Sequence, residues 1–171
     1  NCHLVGRFIG KVEGIYERKI VFKEKHKSAS GRNKKRLKVL SDLDTNICFL
    51  RIYPGFDPKI LDKFTNFSCV ILEALGPGNL PFSGNLILGK IKKLNDKGVP
   101  VFVTTQNPFG EVDMSLYEVG IKGMKAGAVP CNDMTSEVAI VKAMWLFGNF
   151  KKDAKKIKKL MLKNFIGEIR E

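Results

Sequence analysis

The chain has 171 residues, 44 % hydrophobic with 12 Phe, and 30 basic against 17 acidic side chains give a formal net charge of +13. That length holds one domain, or one domain and a piece of another. No run reaches the roughly 18 apolar residues of a membrane span, and the start lacks a signal peptide's basic-then-apolar order.

Residues 1–25 have strand character in short runs, Leu4-Val5, Phe8-Ile9, Ile15-Tyr16 and Ile20-Val21-Phe22, punctuated by Gly6, Gly10 and Gly14. Two or three short strands are not stable alone, so they predict a sheet supplied by another segment or chain. Residues 23–38 are polar and charged with almost no apolar anchor. They read as an exposed loop or linker, with a nucleic-acid-binding tail as the alternative. Residues 39–45 lead across as a linker.

From Asn46 strands and helices alternate. Residues 47–53 form a near-continuous apolar strand, as expected when both faces are covered. Asp57 and Pro58 then supply an N-cap and a proline at the first helical position. Residues 68–74 are a second strand, and residues 75–81 (Leu-Gly-Pro-Gly-Asn-Leu-Pro) are a tight glycine-rich loop. A helix spans 84–96, with Leu86, Ile87, Ile91 and Leu94 on one face. A third strand runs over 99–104 and a helix over 114–127. Ala128-Val-Pro130 makes a short fourth strand.

The helix after it is expected to begin at an Asp133 cap, with Glu137 favouring the dipole. Its apolar face reads as Val138, Val141, Met144 and Trp145, with Ala139 and Ala143 beside it. Gly148 would close it as a left-handed C′ residue. A last helix is expected over 153–165, with Ile157, Leu160 and Met161 inward and lysines outward.

This alternation predicts an α/β fold with a small parallel sheet and right-handed crossovers. Ligands meet such sheets at the carboxyl ends of the strands, here at residues 53–57, 74–82 and 104–115. The glycine-rich loop is neither a P-loop nor a GxGxxG fingerprint. It is a plain tight turn, or one edge of a site shared with Thr104, Thr105, Gln106, Asn107 and Glu111. No catalytic constellation is complete: both histidines lie in the first segment, and no base stands beside a serine or threonine. Thr104 and Thr105 would serve as nucleophiles only with a base from elsewhere. Cysteines 2, 48, 69 and 131 show no CxxC spacing and read as buried free thiols of a reducing cytosol, so no metal and no cofactor are expected. The positive charge reads as a solvated lysine-rich surface, with a nucleic-acid partner as the alternative. Lysine enrichment also suits a thermophile.

Val103-Thr-Thr-Gln106, Tyr117-Glu-Val-Gly120, Ala126-Gly-Ala-Val-Pro130, Asp133-Met-Thr-Ser-Glu137 and Lys142-Ala-Met-Trp-Leu-Phe-Gly148 follow one another at close spacing. With Phe49-Leu-Arg-Ile-Tyr-Pro-Gly55, Leu72-Glu-Ala-Leu-Gly-Pro-Gly-Asn79 and Met161-Leu-Lys-Asn-Phe-Ile-Gly-Glu168, they resemble the C-terminal domain of the L-asparaginase family, in its archaeal and type I branch. The resemblance covers about residues 46–168. More loosely, residues 10–33 are similar to the last hairpin of that family's N-terminal domain. It therefore implies that residues 1–38 belong to the N-terminal, catalytic domain, 39–45 to a linker and 46–171 to a C-terminal α/β domain.

Family members cleave the side-chain amide of asparagine to aspartate and ammonia. Their two threonines, in Gly-Gly-Thr and Gly-Thr-Asp motifs, lie in the N-terminal domain, and this chain has neither motif. The resemblance thus implies no catalytic residue here and a separate N-terminal chain or fragment as partner, in a cytoplasmic heterodimer that pairs into a dimer of such units. It also implies that the C-terminal domain reaches a neighbouring subunit's active site. Tyr117 is the residue expected at the substrate there, with Gly76, Gly78 and Asn79 beside it. Tyr117 as an ordinary half-buried helix tyrosine stays open, and Pro77, which donates no hydrogen bond, departs from the asparagine of some secreted relatives. The alternative is the D subunit of archaeal glutamyl-tRNA(Gln) amidotransferase, which shares this domain and releases ammonia for transamidation. A non-catalytic regulatory or dimerisation domain is a third reading.

Overall fold

The computed structural model describes residues 39–81, 86–150 and 153–170. The expected N-terminal strands, the 23–38 loop, Cys2, His3 and His26 lie outside them.

Four parallel strands form one sheet in the order β1 (Ile47–Arg51), β2 (Cys69–Ala74), β3 (Val101–Thr105), β4 (Ala128–Pro130). Each strand is followed by a helical element. A 3-10 helix (Pro58–Phe64), α1 (Leu86–Asp96) and α2 (Glu118–Lys125) lie between the strands, and α3 (Ser136–Asn149) and α4 (Ala154–Met161) follow β4. The strand alternation sorts the core into two layers. Val70, Leu72, Val101 and Val103 pack with Leu61, Ile87, Ile91 and Leu94 from the crossover elements. Cys69, Ile71 and Phe102 face Val138, Ala139, Ala143, Leu146, Ile157 and Met161 of α3 and α4. All three crossovers therefore cover one face, and α3 with α4 covers the other. Complete burial of each large apolar side chain here contributes roughly 1.5–3 kcal/mol.

Several local expectations are corrected. The strands and helices expected at 47–53, 99–104, 114–127 and 153–165 all have shifted or shorter bounds. Asp57 does cap, accepting from the Lys59 amide at 2.9 Å, but the turn it starts is 3-10. α3 is capped by Thr135, not Asp133: the Thr135 hydroxyl accepts from the Val138 amide. The buried stripe of α3 is Ser136, Val138, Ala139, Lys142, Ala143, Leu146 and Phe147, whereas Val141 is exposed.

Gly148 is not a C′ residue, since α3 continues to Asn149. Its reason is proximity: a Cβ there would collide with the Asp42 carbonyl oxygen. Segment 39–45 docks along α3. The Trp145 indole donates to the Leu40 carbonyl (2.9 Å), the Asp44 amide to the Met144 carbonyl (2.9 Å) and the Asn149 amide group to the Asp42 carbonyl (2.6 Å).

Beyond α4, residues 164–170 fold back over α3 as a strap. Phe165 stacks edge-on against Trp145, and Ile169 is buried. Lys142 and Glu168 form an ion pair at 2.7 Å with both side chains at most 5 % exposed. Lys142 also donates to the Lys163 carbonyl, and Glu168 accepts the Phe165 and Ile166 amides. A buried pair needs such extra partners to offset desolvation. Burial raises the Glu168 pKa, but the Lys142 and backbone hydrogen bonds outweigh it and hold the carboxyl below its usual value.

Candidate functional site

The parallel sheet brings its polar residues to one edge. Arg51, Glu73 and Thr104 are register partners at the carboxyl ends of β1, β2 and β3. On the α3 side, Arg51 Nε lies 3.3 Å from Glu73. Ser136, in the first turn of α3, donates to Glu73 at 2.7 Å and bonds Thr104 Oγ1 at 2.8 Å. Thr104 is fully buried, and its hydroxyl is engaged with Ser136 in the frame of the sheet edge. Thr105 donates to the Gly76 carbonyl and accepts the Asn107 amide. Gln106 donates to the carbonyls of Ile52 (2.5 Å) and Glu73 (3.1 Å). These residues build the rim and leave no activated nucleophile on it, since a hydroxyl needs a base and an oxyanion site to attack.

The glycine-rich loop is more than a plain turn. Leu75 and Asn79 exchange both backbone hydrogen bonds, closing the loop on itself. Gly76 and Gly78 sit at φ 48° and 104°, where a side chain is strained. The loop then lies against the next one. Pro77, which cannot donate, accepts the Asp113 amide at 2.9 Å, and a Cβ on Gly78 would meet Val112 at 2.7 Å and Met114 at 3.2 Å. Asp113 starts a turn by accepting the Ser115 hydroxyl and amide, which lower its pKa. Tyr117 follows as the N-cap residue of α2. It stands just outside the helix rather than in it and is 56 % exposed, and Leu116 beside it is 60 % exposed. Behind it, Gly120 packs so tightly that a Cβ would collide with the Met114 carbonyl oxygen.

The structure thus joins Gly76, Gly78 and Asn79 to the segment that ends in Tyr117. Sequence reasoning missed Glu73, Ser136, Asp133 as an Arg170 partner, and Arg170 itself. The signal for Ser136 was its three-residue spacing to Ala139 on the buried stripe.

Asp133 is only 8 % exposed. It accepts the Arg170 amide (2.9 Å) and Nε (2.8 Å). Burial works against this carboxylate, but the Arg170 bonds keep its pKa below the usual value. A shallow cleft lined by Thr65, Phe67, Ser68, Lys97 and Phe147 opens at the other, amino-terminal edge of the sheet. Among the described residues, no group of three or more His, Cys, Asp or Glu is placed to hold a metal, and no helix is long and apolar enough to cross a membrane.

Residues 46–161 match the glutaminase/asparaginase C-terminal domain. The chain belongs to the glutaminase/asparaginase family. It is 36 % identical over 129 residues to an L-asparaginase of Thermococcus kodakarensis, covering 75 % of this chain and 39 % of the relative. It is 35 % identical over 161 residues to the D subunit of a glutamyl-tRNA(Gln) amidotransferase from Methanococcus maripaludis, covering 91 % and 37 %.

Its structure is similar to that of the thermostable L-asparaginase from Thermococcus kodakarensis, with TM-score 0.70 and 34 % identity, covering 82 % of this chain and 44 % of that one. L-asparaginase I from Vibrio cholerae aligns with TM-score 0.73 and 26 % identity, covering 82 % and 42 %. The chain spans less than half the length of these relatives. This asparaginase-family domain has the α/β fold that the strand–helix alternation predicts.

Proposed function

We propose that this chain supplies the C-terminal half of an L-asparaginase that hydrolyses asparagine to aspartate and ammonia. The threonine chemistry comes from an N-terminal unit carrying the Gly-Gly-Thr and Gly-Thr-Asp motifs, with residues 1–38 adding strands to that unit. Two such catalytic units pair, and the Gly76–Asn79 loop and Tyr117 approach the substrate of the neighbour.

The observation that carries the reading is the juxtaposition of that loop with the Asp113–Tyr117 segment in a family domain. Loop and exposed tyrosine can orient a ligand's polar groups but cannot break an amide. The test is ammonia release from asparagine by the assembled enzyme and by this chain alone. Activity only in the assembly supports the proposal, and full activity of the isolated chain overturns it. Intact mass of what purifies distinguishes one polypeptide from two.

A second reading is favoured by one observation: the amidotransferase relative from Methanococcus maripaludis covers 91 % of this chain, against 75 % for the Thermococcus kodakarensis asparaginase. In that reading the ammonia is used for tRNA-dependent transamidation. Hydrolysis of free asparagine without tRNA separates the two, and salt-dependent tRNA affinity would favour the second.

A further inference from the structure

The two loops at the carboxyl edge rest on a contact that lies outside them. The Val112 amide donates to the Asn132 carbonyl at 2.8 Å. Asn132 is held in the left-handed region at φ 50°, a conformation that asparagine tolerates but does not need. The next residue, Asp133, is gripped by the backbone and side chain of Arg170. The same guanidinium faces Glu111 at 3.9 Å, on the loop leading to Val112. From Val112 and Asp113 the contacts continue to Pro77 and Gly78. Strap, β4–α3 turn, Val112 loop and glycine-rich loop therefore form one connected series.

We propose that Arg170 is a positioning residue for substrate binding. Through Asp133 it holds the Asn132 turn, and through Val112 and Asp113 it sets the Gly76–Asn79 loop and the approach to Tyr117. Charge-assisted hydrogen bonds are the stronger kind, and this one restrains a buried carboxylate beside the left-handed Asn132. The inference rests on the asparaginase reading for its effect on substrate, but the mechanical linkage can be measured without it.

The Arg170 side chain is 59 % exposed, so its removal leaves the core filled. The experiment compares Arg170→Ala and Arg170→Lys in the complete enzyme. It measures kcat and KM for asparagine, amide exchange at Val112 and Asp113, and melting temperature. Arg170→Ala is expected to raise KM about fivefold or more, with kcat within about twofold. Exchange at Val112 and Asp113 is expected to accelerate selectively, and Arg170→Lys to restore both. Unchanged KM and exchange would overturn the proposal. So would a loss of activity that only follows melting temperature, or no recovery with lysine. If the wild-type enzyme leaves asparagine intact while Val112 and Asp113 respond as expected, the asparaginase reading fails and the linkage stands.

Discussion

Lys142 and Glu168 show what one buried pair does for this chain. Each partner alone would be a desolvated charge between α3 and the strap. Glu168→Gln removes the charge that Lys142 faces at 2.7 Å, and breaking such a pair typically costs about 3–5 kcal/mol. Denaturant titration should show a loss of that order. Because the folded Glu168 pKa is lowered, its stabilisation is complete above the unfolded carboxylate pKa and lost as pH falls through the folded value. The acid limb of the stability profile should therefore flatten in Glu168→Gln, as read by melting temperature against pH below about 4.5. Gly120 is constrained differently. A methyl group there would press on the Met114 carbonyl oxygen, and overpacking costs typically about 1–3 kcal/mol. Gly120→Ala should lower the melting temperature and shift the Tyr117 resonances, since α2 must move to accept it.

At the scale of elements, helix ends carry testable weight. Thr135→Ala removes the α3 cap and should cost about 1 kcal/mol in a chemical melt. Asp133→Ala should instead release Arg170, with α3 still capped and the rest of the strap held by Phe165, Glu168 and Ile169. Strand existence and the glycine-rich loop were legible because apolar runs and Gly-Pro pairs are local signals, and the parallel sense followed from the strand–helix alternation. Helix ends were not: Asp133, Thr135 and Ser136 are all good cap residues by type, and contacts over long range chose among them. Asp133 was claimed by Arg170, 37 positions later, and Ser136 by Glu73, 63 positions earlier. Gly148 misled for the same reason, since its demand comes from Asp42. At the site, Gly76, Gly78, Asn79 and Tyr117 were singled out by family resemblance and their approach to a substrate is a proposal, whereas the Arg51–Glu73–Ser136–Thr104 network exists only in the folded register.

At the scale of the whole molecule, the thiols and the charge follow from layering. Cys48, Cys69 and Cys131 are free and buried, as expected. Burial pushes the Cys48 thiol up to about 11 and the Cys131 thiol up to about 12, and raises Cys69 as well. Without thiolate, these three should resist a thiol reagent at neutral pH and label only on unfolding, as counted by mass spectrometry of the labelled peptides. The basic charge is less evenly spread than a lysine-coated surface implies. Twelve of the 30 basic and three of the 17 acidic residues fall in 1–38, outside the described residues. On α4 the lysines do point outward at 155, 156 and 159.

The docking of residues 39–45 on α3 changes what that segment is mechanically. A free linker sets only a mean distance, and the encounter of what it joins is governed by its length. Here the Leu40, Asp42 and Asp44 backbone is fastened to Trp145, Asn149 and Met144, and Gly148 leaves no clearance beneath it. From Leu40 to Asp44 the segment therefore behaves as a bracket fixed to α3. Adding residues between 39 and 45 would do more than lengthen a tether; it would break a fitted joint.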